Sequence, residues 1–110
     1  MNIIRREQYG ILTLELTGRV DSAGAGELET ALNELLDQGH FRIVLDMAGV
    51  QYINSAGLRT LADAVTRARS RDGDLRLAAL TPKVARVLKI IGFDRFFDDY
   101  PTAEDAYVGL

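Results

Sequence analysis

The sequence predicts an α/β fold with a mixed, mostly parallel sheet of four or five strands and about four helices. Two observations support this prediction. Apolar residues recur with a period of two in some segments and with the helical period of about 3.6 in others. The two kinds of segment alternate in the order β-β-α-β-α-β-α-(β)-α, where the strand in parentheses is short. Strands that alternate with single helices imply right-handed crossovers and parallel pairing.

The chain begins with two strands that we expect to form an antiparallel hairpin. Residues 3–8 give a weak strand, and residues 9–10, Tyr-Gly, follow as a turn. Residues 11–17 alternate strictly, as a half-buried strand does. The residues on the apolar face are Leu12, Leu14 and Leu16. Residues 18–22 break the alternation, which predicts that the chain leaves the sheet there.

The next two elements are a helix and a strand. Residues 27–37 carry leucines with the spacing of one buried helix face, and Gly39 is placed to end the helix. These leucines are Leu28, Leu32, Leu35 and Leu36. Residues 41–45 are continuously apolar apart from Arg42, which is typical of a central strand covered by helices.

The middle of the chain repeats this alternation. Residues 56–71 have helical periodicity, and residues 75–80 form another strand. Thr81 and Pro82 predict the start of a third helix, with the threonine as N-cap and the proline in the first helical position. Gly92 ends that helix. Its inner face comprises Val84, Val87, Leu88 and Ile91.

The C-terminal segment predicts a short last strand and a short last helix. Residues 93–97 contain three phenylalanines, which predict an aromatic cluster and a short last strand. Residues 102–105, Thr-Ala-Glu-Asp, resemble a capping box that opens a helix reaching Val108. The sequence shows no internal repeat and no linker.

The composition is that of an ordinary soluble globular protein and predicts one domain over residues 1–110. The net charge of −3 provides no overall positive field for nucleic acid or an anionic membrane. Cysteine is absent, which excludes disulfides and thiolate metal sites. No apolar run approaches the roughly 20 residues of a membrane helix. The N-terminus is charged where a signal peptide needs an apolar core, so we expect a cytoplasmic protein.

Few residues are available for enzyme chemistry. The one histidine, His40, follows Gly39 with no acidic or serine neighbour, and residues 55–57, Ser-Ala-Gly, lack the leading glycine of a nucleophile elbow. No phosphate-binding loop or dinucleotide motif is present. Acidic residues interrupt the arginines of the second helix, which favours a solvated face over a nucleic-acid interface. We therefore expect a non-enzymatic protein with no cofactor, no metal and no direct contact with nucleic acid.

Ser55 is the polar residue that surface position alone does not explain. It follows a buried strand and stands where a helix should begin, within a mostly apolar segment. Its hydroxyl could cap the helix, act as a nucleophile or accept a phosphate. A phosphate would meet the positive end of the helix dipole, so the fold should tolerate it. Docking of an apolar or acidic partner would be opposed by the cost of removing water from the phosphate and by charge repulsion. Physical chemistry alone does not choose between cap and switch.

The sequence resembles the STAS domain family, which includes the bacterial anti-sigma factor antagonists. The most specific match joins residues 43–46, Ile-Val-Leu-Asp, to residues 52–58, Tyr-Ile-Asn-Ser-Ala-Gly-Leu. The turn of residues 18–21, Gly-Arg-Val-Asp, and the C-terminal segment 93–106 also match. The resemblance covers nearly the whole chain and agrees with the predicted order of elements.

The resemblance implies a partner-switching protein. An unphosphorylated antagonist of this kind binds an anti-sigma factor with a serine kinase fold, and a sigma factor is released. The kinase binds ATP and phosphorylates the antagonist, which ends the binding, and a PP2C-type phosphatase reverses the reaction. The matching phosphoacceptor is Ser55. The implied partner-binding residues are Asp21, Ser22, Asn54, Ser55, Ala56, Gly57, Leu58 and Arg59.

A second hypothesis has the chain as a constitutive STAS subunit of a lipid-transport or other regulatory complex. In that case Ser55 would be only a helix cap.

The residue before the phosphoserine is usually aspartate in the best-understood antagonists, whereas this chain has Asn54. Asparagine keeps the ability to form the turn and removes one charge.

Overall fold

The computed structural model describes residues 1–110 and contains five strands, four α-helices and one 3₁₀ helix. In chain order these are β1 (Asn2–Gln8), β2 (Ile11–Val20), α1 (Ser22–Asp37), β3 (Arg42–Ile53), α2 (Ser55–Arg69), β4 (Asp74–Ala78), α3 (Pro82–Ile90), the 3₁₀ helix (Phe93–Arg95), β5 (Asp99–Tyr100) and α4 (Ala103–Tyr107). The strands form one sheet in the order β1-β2-β3-β4-β5. β1 is antiparallel to β2, and every other neighbouring pair is parallel. The predicted fold class and element order are confirmed.

Buried apolar side chains alternate between the two faces of the sheet and form two hydrophobic layers. The larger layer lies between the sheet and α1, α2 and α3. Its strand residues include Leu12, Leu14, Leu16, Ile43, Leu45, Leu75 and Leu77. The smaller layer lies between the opposite face of the sheet and α4, and consists of Ile11, Val44, Ala78, Ala103 and Ala106. Because side chains of successive strand residues point to opposite faces, β2, β3 and β4 each contribute to both layers.

β2 and β3 are both longer than the sequence predicts. β2 continues to Val20, three residues beyond the alternating segment, so the chain leaves the sheet within the predicted break of residues 18–22 but not at its start. β3 continues to Ile53 and does not end at residue 45. The two strands pair up to Val20 and Ile53, with register shifts between Glu15 and Thr17 and again after Gly18. These irregularities break the period of two that the prediction relied on. The extra length carries both strands to the edge where α1 and α2 begin.

α1 begins at Ser22, five residues before the predicted start at residue 27. Two glycines weaken the helical signal there, since glycine lowers helix propensity. Gly24 has a packing reason, because a Cβ at this position would overlap the carbonyl oxygen of Arg19. The side chain of Asp21 compensates by capping the helix, with Oδ1 accepting a hydrogen bond from the Gly24 amide at 2.9 Å.

Thr81 is the N-cap residue of α3 by position, but its side chain does not cap the helix. Its hydroxyl instead donates a buried hydrogen bond of 2.8 Å to the carbonyl of Val50. The prediction of a threonine cap is therefore wrong in its chemistry, although Pro82 does open the helix. The bond ties the start of α3 to the extended part of β3. α2 and β4 differ from their predicted bounds by one or two residues.

The C-terminal predictions are confirmed in outline. β5 is the expected short strand and pairs with β4 through Leu77 and Asp99. The hydroxyl of Thr102 caps α4 by accepting a hydrogen bond from the Asp105 amide at 3.1 Å. None of the helices combines the length and the apolar character needed to cross a lipid bilayer.

Candidate functional site at the start of helix α2

The residues singled out from the sequence meet at one edge of the sheet. β2 leads directly into α1 and β3 directly into α2. The ends of these strands are joined by a hydrogen bond of 2.9 Å from the Asn54 amide to the Val20 carbonyl. The first turns of the two helices are therefore neighbours, and the Asn54 amide nitrogen Nδ2 lies 3.5 Å from the Ser22 hydroxyl. The carboxyl ends of parallel strands are where α/β sheets usually place their binding sites.

The N-cap of α2 is Asn54. Its side-chain oxygen Oδ1 accepts a hydrogen bond from the Gly57 amide at 3.0 Å, and its backbone is extended as an N-cap requires. The interpretation of Ser55 as the cap is therefore wrong. The reason is the length of β3, because a strand that ends at Ile53 leaves Asn54 as the first residue outside it.

Ser55 is the first residue of α2 and is exposed to solvent. Asn54 performs the capping, and no hydrogen bond occupies the Ser55 hydroxyl. His40 precedes β3 while Ser55 follows it, so the histidine is at the opposite end of that strand and cannot serve as a base for the serine. No group of three or more potential metal ligands occurs in the structure. The site thus presents a free hydroxyl without the partners of a catalytic nucleophile.

The predicted partner-binding residues divide into an exposed surface and its support. Six of them, which we call the α2-start surface, are exposed or half-buried at the two helix starts: Asp21, Ser22, Asn54, Ser55, Ala56 and Arg59. Gly57 and Leu58 are buried, and the latter is only 8% exposed. A Cβ on Gly57 would lie 2.5 Å from Cγ1 of Val20, so the glycine allows α2 to approach β2 closely. These two residues are buried beneath the α2-start surface and support it by packing.

Sequence reasoning missed a cation–π pair next to this surface. The guanidinium carbon of Arg19 lies 4.1 Å from the centre of the Tyr52 ring, and the tyrosine is 39% exposed. The two residues are partners in the register of β2 and β3. The only signal that could have revealed them is that register, which the irregularities of β2 conceal.

A short internal repeat was also missed. Both helix starts have the pattern of an Asx N-cap followed by Ser-Ala-Gly, as residues 21–24 (Asp-Ser-Ala-Gly) and residues 54–57 (Asn-Ser-Ala-Gly). In both, the cap side chain accepts a hydrogen bond from the glycine amide three residues later. Ser22 and Ser55 are therefore structurally equivalent, and Ser22 serves as a control for Ser55 within the same chain.

The comparison with protein families decides the classification. The family model described as STAS domain matches residues 2–106. The chain belongs to the STAS domain family. The STAS resemblance seen in the sequence is thereby confirmed, and the surface described above lies within the matched region.

Known relatives of this STAS domain are anti-sigma factor antagonists by name. BtrV of Bordetella bronchiseptica, a candidate anti-sigma factor antagonist, is 41% identical over 88 residues, which cover 80% of this chain and 76% of BtrV. The crystal structure of an anti-sigma factor antagonist from Mycobacterium paratuberculosis has a TM-score of 0.86 and 26% identity, covering 96% of this chain and 89% of that one.

The same fold occurs in SpoIIAA of Bacillus, whose structure is known in two states. The unphosphorylated form has a TM-score of 0.80 and 17% identity, covering 96% of this STAS domain and 92% of SpoIIAA. The phosphorylated form has a TM-score of 0.74 and 16% identity and covers 96% of both chains.

If Asn54 is the N-cap of α2, its removal should destabilise the STAS domain. We expect Asn54→Ala to lower the free energy of unfolding by about 1 kcal/mol, because the Gly57 amide loses its acceptor. Ser55→Ala should change it by less than about 0.5 kcal/mol, since the exposed hydroxyl has no partner to lose. Urea unfolding of both variants checks this. A larger loss for Ser55→Ala than for Asn54→Ala would mean that the serine is the cap.

Proposed function

We propose that this STAS domain is an anti-sigma factor antagonist that changes partners when Ser55 is phosphorylated. In the unphosphorylated state it binds an anti-sigma factor with a serine kinase fold and so releases a sigma factor. The kinase transfers the γ-phosphoryl group of its ATP to the Ser55 oxygen, and ADP and the hydroxyl proton leave. A PP2C-type phosphatase restores the hydroxyl by hydrolysis.

The observation that carries the proposal is the free hydroxyl of Ser55. A capping serine would have to give up a hydrogen bond in order to be modified, but here Asn54 does the capping. Ser55 is exposed at the first position of α2, so its oxygen is accessible to a kinase without unfolding of the helix. Modification should therefore cost the fold little.

The electrostatics of the first turn also suit a phosphate. A helix N-terminus carries a partial positive charge and unpaired backbone amides, both of which favour an anion. The first turn of α2 contains no acidic residue, and its N-cap is the neutral Asn54. A phosphoserine carries about −1.5 to −2 charges at neutral pH. The local structure should accommodate that charge better than a partner's surface can.

A phosphate on Ser55 should weaken the binding of a partner to the α2-start surface. Ser55 is the first residue of α2, and its neighbour Ala56 is small and exposed. A partner that packs against this surface would have to remove water from the phosphate, and an acidic partner would also be repelled. The phosphate therefore opposes docking, while the fold beneath it is unchanged.

The relatives support the regulatory class of this proposal. BtrV and the mycobacterial structure carry the name anti-sigma factor antagonist. SpoIIAA, which shares the fold, has been solved in both phosphorylated and unphosphorylated forms. We extend the proposal for this chain to a kinase partner, a phosphatase partner and a cytoplasmic location.

The alternative hypothesis, a constitutive subunit, explained Ser55 as a helix cap. Since Asn54 is the cap, that hypothesis gives no role to the Ser55 hydroxyl.

Phosphoryl transfer by the cognate anti-sigma factor tests the proposal. We expect incubation with that protein and ATP to add one phosphate to the STAS domain, as measured by intact mass. The phosphate should be lost in Ser55→Ala and retained in Ser22→Ala, which changes the equivalent serine of α1. Phosphate that persists in Ser55→Ala would show that another residue is modified. Co-purification with a transport ATPase and no kinase would favour the constitutive subunit.

A further inference from the structure

Arg59 is the one arginine of α2 that has no partner within the chain. The guanidinium of Arg67 contacts the Asp37 carboxylate at 2.9 Å, and that of Arg69 contacts the Asp74 carboxylate at 2.9 Å. Arg59 is exposed and takes part in none of the ion pairs or cation–π contacts of the structure. An unpaired cation at the edge of the α2-start surface therefore remains to be explained.

The position of Arg59 relative to Ser55 is specific. The two residues are four apart on α2, so they lie one turn apart on the same helix face. In such pairs an anion that precedes the cation has the favourable orientation. The next carboxylate along this helix face is that of Asp63, one turn beyond Arg59, and it forms no ion pair with Arg59. The guanidinium is free to turn toward Ser55.

The internal repeat shows what is particular to the second helix. The equivalent serine of α1, Ser22, has Gly26 at the position that Arg59 occupies relative to Ser55. The next residue is Glu27, whose carboxylate lies 3.4 Å from the N-terminal amine of Met1. α1 contains no arginine or lysine at all. Each serine follows an Asx N-cap and is exposed, but only Ser55 is followed by a cation one turn later, and only the Ser22 hydroxyl accepts a hydrogen bond, from the Asn54 side chain at 3.5 Å.

From this placement we infer that Arg59 is the internal counterion of a phosphate on Ser55. Its guanidinium donates hydrogen bonds to the phosphate oxygens across one turn of α2, in the planar arrangement that arginine forms with such anions. Phosphorylation then has two effects on the α2-start surface, because it adds an anion and also engages the cation that the unmodified surface offers to a partner. This inference rests on the proposed function, since it concerns the phosphorylated state of Ser55.

The test uses phosphoserine incorporated at position 55 during translation, so that no kinase is needed. Thermal unfolding is measured for the modified and unmodified protein, each with Arg59 and with Arg59→Gln. We expect Arg59→Gln to lower the Tm of the phosphoprotein by about 2 °C more than that of the unmodified protein. Arg59→Lys should retain most of the coupling, because the charge is kept. Arg42→Gln is the matched control, since it removes one exposed, unpaired arginine at the opposite end of β3.

A second readout reports on the phosphate itself. In a ³¹P NMR titration, Arg59→Gln should move the midpoint of the phosphate's second ionisation upward by about 0.3 pH unit, because the cation favours the doubly charged form. The difference should shrink at high salt. Phosphoserine placed at position 22 should show no dependence on Arg59.

The outcomes separate this inference from the proposed function. Equal effects of Arg59→Gln and Arg42→Gln on the phosphoprotein, in both measurements, would overturn the role of Arg59. That result would leave phosphorylation by the kinase unaffected. Conversely, a kinase that fails to modify Ser55 would overturn the proposed function, whereas the coupling in the phosphoserine protein would still be measured.

Discussion

Replacing Ser55 with glutamate is expected to weaken binding of the anti-sigma factor about 100-fold, which corresponds to about 2.7 kcal/mol of binding free energy. The carboxylate brings one negative charge to the α2-start surface, and a partner must either desolvate it or leave a gap in the contact. The helix itself should tolerate the change, because acidic residues are favourable in a first helical turn. We expect a Tm within about 2 °C of the unsubstituted protein.

Calorimetric titration with the anti-sigma factor, together with a melting curve, measures both effects. Ser55→Gln is the matched control, because it has the size of glutamate without the charge. If glutamine weakens binding as much as glutamate, the size of the side chain is responsible and the electrostatic switch is not supported. Unchanged affinity for Ser55→Glu would exclude Ser55 from the interface.

Replacing Gly24 with alanine is expected to cost about 3 kcal/mol or more of unfolding free energy. The new Cβ would overlap the carbonyl oxygen of Arg19, which is backbone within β2 and cannot rotate away. Either α1 or the end of β2 must move. Such a movement would also disturb the capping hydrogen bond that the Gly24 amide donates to the Asp21 carboxylate. We therefore expect loss of partner binding along with the loss of stability.

Gly26→Ala is the control, because it lies two residues further along the same helix and a Cβ there meets no atom within 4 Å. Alanine has the higher helix propensity, so this substitution should stabilise the protein by roughly 0.5–1 kcal/mol. Urea unfolding of the two variants should thus give changes of opposite sign. A mild effect for Gly24→Ala, close to that of Gly26→Ala, would mean that the packing of α1 against β2 is looser than described.

The order of elements could be predicted because it depends on local periodicity. The alternation of residues 11–17 and the leucine spacing of residues 27–37 are properties of short segments, and they survive in the structure as β2 and α1. The extents of β2 and β3 could not be predicted. Each strand continues because the other pairs with it, and the hydroxyl of Thr81, the residue before α3, donates a hydrogen bond to the Val50 carbonyl within the extension. Such contacts join residues that are distant in the sequence.

Periodicity was enough to predict the fold class, and one contiguous motif was enough to show the family resemblance and to single out Ser55 as a candidate site residue. The three-dimensional contacts were needed to show that the Ser55 hydroxyl does not cap α2. Asparagine and serine are both good N-caps, so residues 54–55 alone leave the cap undecided. The pairing of β3 with β2 ends the strand at Ile53 and assigns the cap to Asn54. The hydroxyl of Ser55 is left exposed and unbonded, one helical turn before the unpaired Arg59.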